Sequence, residues 1–398
     1  MRILFLLTFY TPHWTGLTAY ARRIAEGLAR RGHQVSCLTT QHDPDLSLEE
    51  EINGVMVYRV PTAIQVSRSP ISPMLLPKLN QLLKKTDVVS IHIPFPEVML
   101  ATALARKAGA SVFITHNGDL ILPKGLMKRP LEKLYYEMTG AAGRMSTAVI
   151  PQTRDYAESS NLLRPLGEKG KLEFIYAPVD QPPPNEDNIA AWRKELGLED
   201  KFLVGFAGRF VEEKGFDFLF EAVPEIVAGR PDLHFVFAGE HEISYEGFFD
   251  QHRDVIEAHS EYFTMLGLIT DDQKMADFYG MIDIFALPSR SDCFPSTQIE
   301  SVRAGTPLIT ADIPGAREIV NVTGMGQIVA ARDPQALAQG ILEVAENIEH
   351  YRSKHADALA IFDPEKTFDA YEALFERSLH ENAAGGMEPD ANAEPLDD

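Results

Sequence analysis

The stretch Ser289 to Ile313, SRSDCFPSTQIESVRAGTPLITADI, decides the fold. It follows a short apolar run, Ile282 to Pro288, that reads as a buried strand. A polar turn holding Asp292 comes next. Pro295-Ser296-Thr297 then starts a helix, Glu300 lies inside it, Gly305 stops it, and a new strand opens at Pro307. Such a loop lies at the carboxyl end of a parallel sheet, where open α/β folds bind ligands. The helix N-terminus offers unpaired N–H groups and a positive dipole end, which suit a phosphate. Two carboxylates beside that site suit neutral donors instead, such as the hydroxyls of a sugar and of a ribose. Taken alone, Asp292 reads as a turn residue and Glu300 as a solvated helix acid. The preceding strand, the turn and the Gly-Thr-Pro exit favour a ligand site.

Upstream, the strand Phe202 to Ala207 runs into Gly208-Arg209-Phe210-Val211-Glu212-Glu213-Lys214-Gly215. Arg209 and Lys214 place two cations in one loop ahead of a helix from Phe216, a good setting for a diphosphate. The spacing is not that of a P-loop. The strand Leu233 to Ala238 ends in Gly239-Glu240, and the strand Tyr262 to Leu268 leads through Ile269-Thr270-Asp271 into a helix.

The first half repeats the pattern. A strand over Arg2 to Leu7, a loop over Thr8 to Thr18, a helix over Ala19 to Arg31 and a strand over His33 to Thr40 open a doubly wound domain. No GxGxxG is present; Gly16 is the single loop glycine. Asn53-Gly54 marks a hairpin over Glu49 to Pro61. The strand Ser111 to Thr115 ends in His116-Asn117-Gly118-Asp119. Ala148 to Ile150 and Leu172 to Tyr176 read as the last strands, with Arg154 just beyond the former. The Pro-rich run Ala177 to Asn188 reads as the linker. The expected division is 1–180, 181–365, a helix over 366–380 that returns to the first domain, and a disordered acidic tail over 381–398.

At 398 residues two domains are the natural expectation. A formal charge of −21 argues against a nucleic-acid partner. The cysteines, Cys37 and Cys293, form no disulfide framework and no metal cluster. The short apolar start reads as a strand, so a cytoplasmic protein is expected. The segment 120–138 mixes leucines with Lys124, Lys128, Arg129 and Lys133. It reads either as a helix with a solvated basic face or as a peripheral contact with the inner membrane surface.

The Gly-Arg and Lys-Gly elements, the acid-x7-acid spacing of Asp292 and Glu300, and Ile313-Pro314-Gly315-Ala316-Arg317-Glu318 together resemble the family-4 retaining glycosyltransferases of GT-B fold. The resemblance implies two Rossmann-like doubly wound domains facing an interdomain cleft. It implies a hydroxyl acceptor, lipid or glycan, and a UDP- or GDP-linked sugar as co-substrate with no cofactor and no metal. Arg209 and Lys214 then contact the donor diphosphate, Asp292 the donor sugar and Glu300 the ribose. Gly16, Glu240, Leu268, Ile269, Phe294, Pro295, Ser296 and Thr297 complete the donor side. His116 approaches the donor sugar or the acceptor, and joins Arg209, Lys214 and Asp292 in the catalytic set. Tyr10, His13, Asn117, Asp119 and Arg154 fall on the acceptor side. The family usually has Glu where this chain has Asp292 and often Gly where it has Pro295, which bears on donor choice. Two other readings are a nucleotide-sugar-hydrolysing epimerase of the same fold and a non-catalytic sugar-nucleotide binding protein.

Overall fold

A computed structural model describes residues 1–66, 69–119, 128–240 and 247–385. The chain divides into two units. Unit 1 holds Met1–Gln152, Ala157–Pro178 and the chain from Glu365 on; unit 2 holds Thr153–Tyr156 and Val179–Pro364.

Unit 1 runs β1 (Arg2–Leu6), α1 (Gly16–Arg30), β2 (Gln34–Thr40), β3 (Glu49–Ile52), β4 (Val55–Val60), β5 (Ile64–Val66), β6 (Ser69–Ile71), α2 (Leu75–Leu83), β7 (Val88–Ile93), α3 (Val98–Lys107), β8 (Ser111–His116), α4 (Lys128–Met145), β9 (Ala148–Ile150), α5 (Arg154–Ser159) and α6 (Arg164–Gly167). Its main sheet has the order β3-β4-β2-β1-β7-β8-β9. All neighbours are parallel except the β3–β4 hairpin, which turns at Asn53 and Gly54 with φ of 48° and 81°. Central strands β7 and β8 are buried along their whole length, as a sheet covered on both faces requires.

Unit 2 runs α7 (Glu186–Leu196), β10 (Phe202–Ala207), α8 (Phe216–Gly229), β11 (Leu233–Ala238), α9 (Arg253–Ala258), β12 (Phe263–Gly267), α10 (Asp272–Met281), β13 (Ile284–Leu287), α11 (Ser296–Arg303), β14 (Leu308–Ala311), α12 (Glu318–Thr323), β15 (Gly326–Val329), α13 (Pro334–Glu346), α14 (Ile348–Arg352) and α15 (His355–Ile361). The sheet is parallel, in the order β12-β11-β10-β13-β14-β15. The chain winds outward from β10 through β11 to β12, then returns to β13 on the other side. The order therefore reverses between β10 and β13, the place where doubly wound sheets open a crevice at their carboxyl ends.

A final helix, α16 (Pro364–Gly385), packs on unit 1 from Glu365 onward. One face does this. Phe368 lies where a side chain on Gly27 would stand, 2.3 Å from an ideal Cβ there. Tyr371 shares a buried 2.8 Å hydrogen bond with Tyr20, Phe375 meets Phe113 at 4.8 Å between ring centroids, and Ser378 donates to Ser111 at 3.0 Å. Arg31 adds ion pairs to Glu365, Asp369 and Glu372. Phe368→Ala is expected to cost unit 1 about 3–5 kcal/mol, because the rigid Gly27 face cannot collapse into the space. Urea unfolding read from Trp14 in a Trp192→Phe background measures this, and a cost below about 1 kcal/mol would show that α16 is not clamped there.

Several expectations need correcting. Helix α1 begins at Gly16 rather than Ala19, because Thr15 caps it by accepting from the Thr18 N–H at 3.2 Å. Leu172 to Tyr176 form no strand; one bridge, Val149 to Leu172, pairs before the chain leaves the sheet edge. The Pro-rich run ends early, since Asn185 caps α7. Asp277 fixes that start by accepting from the Asn185 N–H at 2.7 Å and from the Asn188 amide at 2.9 Å. Helix α16 runs through 381–385; the rest of the expected tail lies outside the described residues, as do 120–127.

Candidate active site

In unit 2 the loops after β10 and β13 flank the reversal of strand order. Glycines let them meet. Gly215, with φ of 68°, packs so closely on Pro288 that a Cβ would stand 2.0 Å from its carbonyl oxygen. Gly315 is pressed against the Cys293 carbonyl in the same way, at 2.1 Å. The loops after β10, β13 and β14 thus form one packed edge.

At that edge Lys214 Nζ donates to Asp292 Oδ2 at 2.5 Å, with side chains 19% and 9% exposed. Burial works against the Lys214 charge, but Asp292 and Glu213 outweigh it and lift the ammonium above its ordinary value. Ser289 reaches the same carboxylate oxygen at 3.5 Å. Arg209 is exposed on the same loop as Lys214. The Phe210 N–H donates to the Glu240 carbonyl at 3.0 Å, which holds the loop after β11 alongside; Glu240 itself is exposed. Leu268 is exposed and Ile269 half-buried just beyond β12.

Pro295 is the N-cap of α11, with no side-chain capping bond, and Ser296 and Thr297 form a half-buried first turn. Glu300 is buried one turn further on and accepts from the Tyr279 hydroxyl at 3.0 Å. Phe294 is buried and meets Phe362 at 6.2 Å between centroids. Cys293 is half-buried; burial and the Asp292 charge push its thiol up to about 12, so it is inert. Tyr279→Phe removes one hydrogen bond that orients the Glu300 carboxylate, and nucleotide affinity is expected to fall several-fold with a stability cost of about 1–2 kcal/mol. Titration calorimetry checks this; unchanged affinity would remove Glu300 from the nucleotide site.

The residues placed on the acceptor side are less uniform. His116 is buried at the end of β8. Its Nδ1 accepts from the Gly118 N–H at 3.3 Å, so Nε2 carries the proton toward Asp119 at 3.2 Å. Asp119 also accepts from Ser160 at 3.0 Å. The Asn117 amide donates to the Ile93 and Thr115 carbonyls, both at 3.3 Å. His13 is half-buried between Phe9 and His42, with centroids at 4.8 and 5.1 Å, and burial holds it below the usual histidine value. Tyr10 lies inside the core rather than in the loop surface, and burial drives its phenol far up. Arg154 belongs with unit 2, contrary to its expected place in the first domain. The cause is Asp155, which accepts from Arg317 at 2.6 and 3.0 Å and from the Gly315 N–H at 3.0 Å. Burial pushes the Asp155 carboxyl up, but Arg317 and Gly315 outweigh it and hold it below the usual range. The sequence singles out neither Arg290 nor Asp217, and it marks Asp155 and Arg317 only separately, since the partners of each pair lie 73 and 162 positions apart. Among the described residues no helix is long and apolar enough to cross a membrane.

Comparison with known proteins gives the family and the fold. The family model for glycosyl transferases group 1 matches residues 201–347, and that for the glycosyl transferase 4-like domain matches 15–168. O-antigen chain mannosyltransferase C of Escherichia coli is 24% identical over 356 residues, spanning 88% of this chain and 90% of its own. D-rhamnosyltransferase WbpZ of Pseudomonas aeruginosa is 24% identical over 347 residues, 86% of each chain. A sucrose-phosphate synthase from Thermosynechococcus elongatus superposes with a TM-score of 0.74 at 18% identity, covering 97% of this chain and 99% of that one. The Anabaena HepE structure in complex with UDP gives 0.74 at 18%, covering 97% and 100%. With both halves matched in order and two parallel doubly wound sheets in place, the chain belongs to the family-4, group 1 glycosyltransferases of GT-B fold.

Proposed function

We propose that this chain transfers a sugar, with retention at the anomeric carbon and without a metal, from a UDP- or GDP-linked donor to a hydroxyl of a glycan or lipid. The observation that carries this reading is the Lys214–Asp292 pair at the reversal of strand order, with Arg209 on the same loop. Departure of a diphosphate builds negative charge on its oxygens, and stabilising that charge is the main task. Lys214, held by Asp292, with the exposed Arg209 and the α11 N-terminus, supplies positive charge and a dipole suited to it. The arriving diphosphate shares Lys214 with Asp292. A carboxylate has about four lone-pair sites, so Asp292 keeps acceptors for the donor-sugar hydroxyls. Glu300, oriented by Tyr279, takes the ribose hydroxyls. The bond from the anomeric carbon to the phosphate oxygen breaks, the acceptor oxygen bonds to the same face, and its proton passes to the departing phosphate. The bound UDP in HepE and the mannosyl and rhamnosyl transfer named for the relatives support the donor class.

The acceptor side rests on unit 1, with His116, Asn117 and Asp119 at the end of β8. Helix α4 exposes Leu131 and Leu134 beside Arg129 and Lys133, which suits an acceptor presented at an anionic membrane surface. A panel of α-linked UDP- and GDP-sugars, followed by NMR of the first-formed sugar product in EDTA, tests the reading. An α product formed at an undiminished rate is expected. A β product would overturn retention, and loss of turnover in EDTA would overturn metal independence.

A further inference from the structure

Arg290 stands two positions before Asp292, yet its bonds run to the other loop. Nη1 donates to Asp217 Oδ1 at 2.7 Å and Nη2 to Asp217 Oδ2 at 2.5 Å. Nη1 also donates to the Glu212 carbonyl at 2.8 Å, and the Arg290 main-chain N–H donates to the Glu213 carbonyl at 2.7 Å. Glu212–Lys214 form a single 3₁₀ turn, so these contacts hold the turn from which Lys214 projects. Asp217, in the first turn of α8, is buried. The guanidinium carbon lies 4.1 Å from the Phe218 ring centroid and 5.5 Å from that of Phe248. Arg290 is therefore joined to the segments after β10 and after β11 while it sits on the loop after β13.

We infer that Arg290 is a positioning residue for the transfer reaction: it fixes the turn carrying Lys214 against the loop carrying Asp292, so that ammonium and carboxylate are set before a donor arrives. The inference rests on the donor-site reading above. A planar fork and an aromatic stack are needed together, and lysine supplies neither the fork nor the flat face. A site held within a fraction of an ångström is what rate and affinity depend on, so a loosened turn acts at a distance.

The test uses the full chain with Arg290→Ala, Arg290→Lys and, as a control for stability, Arg193→Ala. Arg193 ties α7 to the Leu198, Met281 and Lys201 carbonyls and has no part in the site. Calorimetry with UDP, GDP and ADP is run where all variants are folded, beside melting curves and the rate of Lys214 acetylation read by mass spectrometry. Both Arg290 variants are expected to weaken nucleotide binding by roughly tenfold or more. Arg290→Ala should also speed Lys214 acetylation several-fold, while Arg193→Ala lowers Tm with both readouts unchanged. Arg290→Ala with a lowered Tm but unaltered affinity and acetylation would overturn the inference and leave a structural ion pair. If the unaltered chain binds none of the three nucleotides, the donor-site reading fails. Lys214 acetylation still decides the positioning role, which fails if Arg290→Ala leaves that rate unchanged.

Discussion

Lys214→Met is expected to lower kcat/KM for the donor by roughly a hundred- to a thousandfold, as loss of one fixed partner of a developing oxyanion does. Methionine keeps most of the stem, so packing is little changed and the effect is one of charge. The variant also takes the ammonium partner from the Asp292 carboxylate, only 9% exposed on its side chain, and leaves the Ser289 hydroxyl at 3.5 Å, at a cost of about 1–3 kcal/mol. Adding Asp292→Asn should recover part of that stability and none of the activity. A double-mutant cycle separates the two quantities, and additive stability losses would show that the pair is not coupled. The pH dependence has a definite sign. Lys214 is raised above the ordinary lysine value of 10.5, so its contribution to stability is fully present below that pH and is lost as pH rises through the higher folded value. No lysine titration should appear in donor affinity at neutral or mildly alkaline pH.

Gly215→Ala is expected to abolish nucleotide binding, whereas Gly197→Ala leaves it intact. Both glycines have φ of 68°, so both substitutions carry the left-handed penalty of roughly 1–2 kcal/mol. Only at Gly215 does the added methyl strike backbone: a Cβ would lie 2.0 Å from the Pro288 carbonyl oxygen, while nothing lies within 4 Å of one at Gly197. Pro288 is part of the chain leading to Asp292, so relief of the clash moves the two loops apart and breaks the Lys214–Asp292 meeting. Chemical denaturation and calorimetry on the two variants isolate close approach from backbone strain. Equal behaviour would show that the loop contact is not needed.

Much of this was legible because it is local. The run from Ile282 to Ile313 carries its strand, turn, helix and exit in order, and β13, α11 and β14 lie on it. Asn53-Gly54 makes its hairpin for the same reason. Lys214 and Asp292 were readable as residues of two loops after strands; their pairing was not, because it depends on β10 and β13 being neighbours. Residues that act across long separations were silent. The Arg290–Asp217 pair spans 73 positions and the Asp155–Arg317 pair 162, and no spacing rule joins them. Burial also misleads at loop aromatics: Tyr10 stands in the loop after β1, just before a turn, but packs inward. Leu172 to Tyr176 have strand composition without a strand, since β-propensity reports a partner surface that the sheet edge beyond β9 does not extend.

The most direct test of a metal-free diphosphate site is calorimetric titration of the chain with UDP, GDP and ADP in EDTA, repeated on Arg209→Ala. Binding of one nucleotide in the micromolar range, indifferent to EDTA and lost in Arg209→Ala, is the expected result. Absence of binding by any of the three on folded protein, or binding that vanishes in EDTA, would contradict it.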